Sequence, residues 1–285
     1  MKLLVVGASG LVGGELCRRA RAQGVDAIGV ARRLRGEATA ALDLSSRADL
    51  ERVVDAVQPT HVALCAAYAH VDGCEVDPAR SERENVATIR NVVQVLAGSK
   101  ITALFFSTDH VFDGTKPFFV ERDAVHPLSI YACHKRAAEE LLLARGNALV
   151  VRTAWVFGAE LAKKNFAYRV IAAARAGESL KLPRAQAGCP TWTGWLTASV
   201  LTLLDEKMTG IVHLTGDEPL TKAEWARLIA KSLVLPPLRI EEVSEREAGQ
   251  VAPRPEQVVL RSERHALHQP PLSDILAGER ATFLS

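Results

Sequence analysis

Short apolar runs alternate with longer amphipathic stretches through the first half of the chain. Residues 3–6, 27–30, 61–65, 102–107 and 148–152 read as strands, each a compact β-branched or apolar run. Between them, 11–22, 49–57, 79–96 and 129–144 carry the spacing of helices with one buried face. This alternation predicts βαβ units and a parallel sheet covered on both sides. Right-handed crossovers then leave few topologies. After Gly158 the rhythm loosens. Residues 211–214 predict one more strand returning to the sheet. Residues 221–233 predict a helix with Thr221 as N-cap and Glu224 three residues on, a capping box. The pattern divides the chain into a dinucleotide-binding part, 1–158 with 209–216 rejoining the sheet, and a smaller lobe, 159–285. The fold class expected is α/β: a Rossmann-type doubly wound parallel sheet with a C-terminal substrate-binding lobe.

The 285 residues are 48 % apolar and 24 % charged, enough to bury a core, and the net charge is +2. The balanced charge argues against nucleic-acid binding. No apolar run reaches membrane-spanning length, so neither a membrane span nor a signal peptide is expected. Cys17, Cys65, Cys74, Cys133 and Cys189 are scattered and odd in number. They suggest reduced thiols in the cytoplasm, without a disulfide framework or a zinc site.

Two groups of residues carry chemistry. Gly7-Ala8-Ser9-Gly10-Leu11-Val12-Gly13 follows the first strand and opens the first helix. Glycines there let backbone approach a pyrophosphate, and the helix N-terminus offers unpaired N–H groups. Gly13 lets helix and sheet pack closely. The second strand ends Ala31-Arg32-Arg33, with no carboxylate to hold ribose hydroxyls, so the arginines suit a 2′-phosphate and NADPH. Asp43-Leu44 falls where the adenine would lie, or Asp43 caps a turn. The second group is Thr108 at a strand end with Tyr131 and Lys135 four apart on a helix. Ketone reduction by hydride transfer needs a proton for the new alkoxide. A phenol can supply it, an adjacent ammonium eases phenolate formation, and a hydroxyl can hold the carbonyl oxygen.

These residues lie within longer blocks: Ser107-Thr108-Asp109-His110-Val111-Phe112-Asp113-Gly114, Tyr131-Ala132-Cys133-His134-Lys135, Val151-Arg152-Thr153-Ala154-Trp155-Val156-Phe157-Gly158, Gln186-Ala187-Gly188-Cys189-Pro190-Thr191, and Arg254-Pro255. In this order and spacing the chain resembles dTDP-4-dehydrorhamnose reductases, extended short-chain dehydrogenases of nucleotide-sugar metabolism. The resemblance implies NADPH-dependent reduction of the 4-keto group of dTDP-4-dehydrorhamnose, with NADH as a possible substitute, in a homodimer. It implies Tyr131 as proton donor assisted by Lys135 and Thr108. It places Gly10, Leu11, Val12, Asp43, Leu44, Ala66, Ala67 and Tyr68 along the cofactor, and Thr108, Asp109 and Trp155 on the sugar. Asp72 and Glu75 match a family segment near the site. His110 stands where the family usually has tyrosine, Ala132 where it has glycine, and Leu260-Arg261-Ser262 departs from its Leu-Asp-x-Ser. Glu15 falls in the region of a metal contact found in some members, but no metal site is matched. Related ketoreductases and epimerases remain open as alternatives. So does a non-catalytic partner like the regulatory β-subunit of methionine adenosyltransferase, though such a module would have no use for Thr108, Tyr131 and Lys135.

Overall fold

The computed structural model describes all residues, Met1–Ser285. Seven parallel strands form the central sheet. β1 is Lys2–Val6, β2 Asp26–Ala31, β3 Ala40–Ala41, β4 His61–Leu64, β5 Thr102–Thr108 and β6 Ala148–Thr153. The seventh strand is Gly210–His213, and the spatial order is seventh, β6, β5, β4, β1, β2, β3. The order reverses at β1, which pairs Leu3 with Ala27 of β2 and with His61 of β4. Ligands gather at the carboxyl ends of strands around such a reversal. Apart from the short edge strand β3, whose two residues are exposed, the strands are largely buried on both faces, as a parallel sheet between helices requires.

On one face α1 (Leu11–Ala22) lies with the helix Thr193–Asp205 over Leu3, Val5, Ala63, Leu104, Leu149 and Val151. On the other, α2 (Arg47–Val57), Thr88–Val95 and Ile130–Arg145 cover Leu4, Val6, Val62, Phe105 and Val150. A separate core joins the helices Phe166–Ala176, Lys222–Ser232 and Leu272–Gly278 around Trp225, Phe157 and Phe283. Thr221 and Glu224 form the expected capping box. The return strand is also as expected, with Ile211 opposite Val150.

The helix expected over 79–96 is interrupted. Pro78–Glu82 is α-helical, Arg83–Ala87 is a π turn, and Thr88–Val95 resumes the α-helix. A π turn inserts one residue without breaking the apolar rhythm strongly enough to show in sequence. Asp72 and Glu75 lie on a short helix, Val71–Val76.

Candidate active site

The glycine turn is shaped by contact. Gly7 has φ of +94°, and a Cβ on it would come within 2.6 Å of the Ala66 nitrogen. A Cβ on Gly13 would lie 2.4 Å from the Gly7 carbonyl oxygen, so Gly13 serves the helix–strand packing. Leu11 and Val12 occupy the first turn of α1, where N–H groups lack partners within the helix. Beside this turn opens a cleft of about 850 Å³. It is bounded by Gly7 and Gly10, by Arg32, Arg33 and Arg35 after β2, by Asp43 and Leu44, and by Ala66 and Ala67 after β4. The steric cradle, the helix N-terminus and the basic rim fit a dinucleotide phosphate ligand.

The cleft also contains groups the sequence did not single out. Arg80, Arg83, Glu84 and Thr88 reach it from the interrupted helix. Arg32 is not unpaired: its Nη2 donates to Glu84 at 3.2 Å. Asp43 accepts the Ser45 N–H at 3.0 Å and so also caps a turn. Tyr68 is set back from the cleft wall. Its main-chain N–H donates to Asn85 at 2.8 Å and its ring lies under the Arg80 guanidinium, 4.2 Å from centroid to Cζ.

Thr108, Tyr131 and Lys135 converge at the carboxyl ends of β5 and β6. Thr108 is the last residue of β5, opposite Thr153. Ser129 caps the helix Ile130–Arg145 by accepting the Ala132 N–H, which fixes Tyr131 in the first turn. Glu75 accepts the Ile130 N–H at 3.0 Å, so its role is to hold this helix start. Thr108 and Asp109 both lie close enough to the Tyr131 phenol to act on its ionisation. Burial, then the charges of Asp109 and Cys74, push the phenol above its ordinary value, and Thr108 opposes them. Lys135 is buried, donates to the Phe106 carbonyl at 2.6 Å and sits 4.0 Å from the Phe105 ring centroid. Burial pulls its ammonium down to about 8, with Glu139 pulling the other way.

A small pocket opens just past the end of β5, lined by Asp109, His110, Trp155, Gln186 and Arg254. Asp109 is buried and accepts the Thr108 hydroxyl at 3.0 Å. His110 meets Tyr131 edge-on, with ring centroids 6.2 Å apart, and its buried Nδ1 has no partner. Trp155 adopts φ of +42°, which turns its ring against Gly188. Lys222 was not anticipated. Its ammonium stands 3.2 Å from the Trp155 ring centroid, and burial pulls it down to about 7 against the pull of Asp109. Its place inside the capping box marked a helix start and gave no signal of a site.

Asp72 anchors the pocket wall. It accepts the N–H groups of Val251 and Ala252 and two hydrogen bonds from Arg254, at 2.8–3.0 Å. Burial works to raise this carboxyl, and the Arg254 and main-chain hydrogen bonds overcome it, holding it well below its usual range. Beneath the site, Glu139 is fully buried. It takes Arg152 at 3.0 and 2.8 Å and accepts the Ser107 hydroxyl. No three His, Cys, Asp or Glu side chains converge on a common centre, and Glu15 is engaged by Arg18 and Arg19.

A parallel sheet reversing at a glycine turn, with Thr, Tyr and Lys at its carboxyl edge, defines a short-chain dehydrogenase/reductase architecture. The family model described as the RmlD substrate binding domain matches residues 1–271, and the chain belongs to that family. A dTDP-4-dehydrorhamnose reductase of Burkholderia thailandensis is 35 % identical over 230 residues, 76 % of this chain and 73 % of that protein. One from Mycolicibacterium smegmatis is 29 % identical over 271 residues, 93 % of this chain and 79 % of its own length. Among solved structures, a dTDP-4-dehydrorhamnose reductase of Bacillus anthracis in complex with NADP superposes with a TM-score of 0.88. It covers 97 % of this chain and 98 % of that one at 24 % identity, a likeness of fold.

Proposed function

We propose that this protein reduces the 4-keto group of a dTDP-linked 6-deoxyhexulose with NADPH, converting dTDP-4-dehydrorhamnose to dTDP-L-rhamnose. The observation that supports the reading is that Thr108 ends β5 while Tyr131 and Lys135 lie on the helix Ile130–Arg145 packed beside it, with Lys135 bonded to the Phe106 carbonyl of the same strand. The relatives named above act on this substrate, and the family membership supports the transfer.

A nicotinamide cofactor held by Gly7, Gly10, Leu11, Val12, Asp43, Leu44, Ala66, Ala67 and the arginine rim would supply hydride to the carbonyl carbon. Tyr131 gives its proton to the carbonyl oxygen, and the raised phenol keeps that proton ready at neutral pH. Thr108 orients the oxygen. Lys135, turned from the Phe106 carbonyl, stabilises the phenolate left behind. Asp109 and Trp155 position the sugar ring. In this reading residues 1–158, with 209–216, hold the cofactor, and 159–285 close over the sugar. The protein acts in the cytoplasm as a homodimer, a state that sedimentation tests. The balanced charge and five free cysteines agree with that compartment.

The test is NADPH oxidation against a panel of dTDP- and UDP-4-keto-hexoses, with product analysis. Turnover is expected with dTDP-4-dehydrorhamnose. Cofactor binding without turnover on any member of the panel would overturn the assignment.

A further inference from the structure

The carboxylate that the end of β2 lacks reaches the cofactor cleft from its other wall. The π turn Arg83–Ala87 places Arg83 and Glu84 there, beside Arg80. Glu84 uses both oxygens. Oε1 accepts Arg80 Nε at 2.8 Å, and Oε2 accepts Arg32 Nη2 at 3.2 Å. Arg33, Arg35 and Arg83 line the same cleft without an ion-pair partner. Glu84 is therefore the one carboxylate tied to the guanidiniums of this rim.

The two nicotinamide cofactors differ there at a single substituent. A ribose 2′-hydroxyl is a neutral donor and needs an acceptor. A 2′-phosphate needs cations and is repelled by a carboxylate. We infer that Glu84 sets the balance between them, an inference that rests on reading this cleft as the cofactor site. When the ligand carries a 2′-hydroxyl, Glu84 accepts its hydrogen bond and keeps Arg80. When it carries a 2′-phosphate, Arg32 leaves Glu84 and joins Arg33 on the phosphate. Arg32 is suited to the exchange because its side chain is 63 % exposed and its contact is the longer of the two. Glu84, at 22 % exposed, stays behind as a like charge that restrains phosphate binding. The cleft thus carries an acceptor for one ligand and cations for the other, with one side chain opposing the second to serve the first.

Calorimetric titration with adenosine 2′,5′-bisphosphate and with AMP isolates this choice, since the two probes differ only at the 2′ position and need no sugar or turnover. Glu84→Gln is expected to raise the ratio of bisphosphate to AMP affinity by about tenfold, from a hydrogen bond to the hydroxyl weakened by loss of the acceptor's charge and one relieved repulsion. Arg80→Met frees one oxygen of Glu84 and is expected to move the ratio the other way. An unchanged or lowered ratio in Glu84→Gln overturns the inference while leaving the cofactor site intact. If the wild-type protein binds neither probe, the reading of the cleft fails with it.

Discussion

Replacing Glu139 with leucine removes one half of an ion pair with no access to water. The Glu139 and Arg152 side chains are 0 % and 1 % exposed. Glu139 joins the helix that carries Lys135 to β5 through Ser107 and to β6 through Arg152. Arg152 already has one nitrogen, Nη1, without a partner. Without Glu139 the guanidinium would be a buried charge answered only by the Phe112 ring, 5.1 Å away. Breaking such a pair from one side costs about 3–5 kcal/mol, whereas removing both partners in favour of apolar groups is often neutral. In a chain of this size that corresponds to a fall in Tm on the order of 10 °C. Calorimetry of Glu139→Leu, Arg152→Met and the double variant checks the sign as well as the size. Each single variant should fall by that amount, and the double variant should recover most of it. Single variants within 1 °C of wild type, or a double variant no better than either, would refute the account.

Tyr131→Phe is expected to keep cofactor affinity and lower turnover by at least about a hundredfold, the scale of general acid catalysis, as steady-state kinetics would show. Arg33→Ala should weaken NADPH binding more than Arg32→Ala, because Arg32 must first give up Glu84; fluorescence titration of both variants decides the order. Trp155→Ala should raise KM for the sugar more than it lowers kcat if the ring positions substrate, and unchanged kinetics in a folded variant would return it to packing. Burial pushes His213 down to about 4, with Glu121 opposing and Arg152 adding. The unfolded chain therefore binds the proton first, so stability is lost as pH falls from about 6.5 toward 4, and His213→Gln should flatten that slope in urea titrations.

Most of the sheet was legible because its buried parallel strands read as plain apolar runs separated by amphipathic helices; the exposed two-residue β3, Ala40–Ala41, carries no such run. The later helices were harder. Thr193–Asp205 is buried along nearly all its length, so it lacks the polar face that makes a helix visible in sequence. Phe166–Ala176 carries clear end signals, Asn165 as N-cap and Gly177 in the left-handed region, and went unread only because it follows the irregular stretch after Gly158. Thr108, Tyr131 and Lys135 were found because their spacing lies within one strand end and one helical turn. Glu84 and Lys222 were not, since their place depends on a π turn and on a contact across the fold.

The return of Gly210–His213 to the edge of the sheet bears on how such a protein can be taken apart. A chain cut after Gly158 would leave β6 as an open edge and strip Thr193–Asp205 from one face of the core. The remaining fragment would carry Gly210–His213 but lose the β6 edge that this strand pairs with. Neither part is therefore a cassette. The small pocket draws on both parts, Asp109 and Trp155 from one and Gln186 and Arg254 from the other, and exchange of whole lobes between relatives would break the shared sheet.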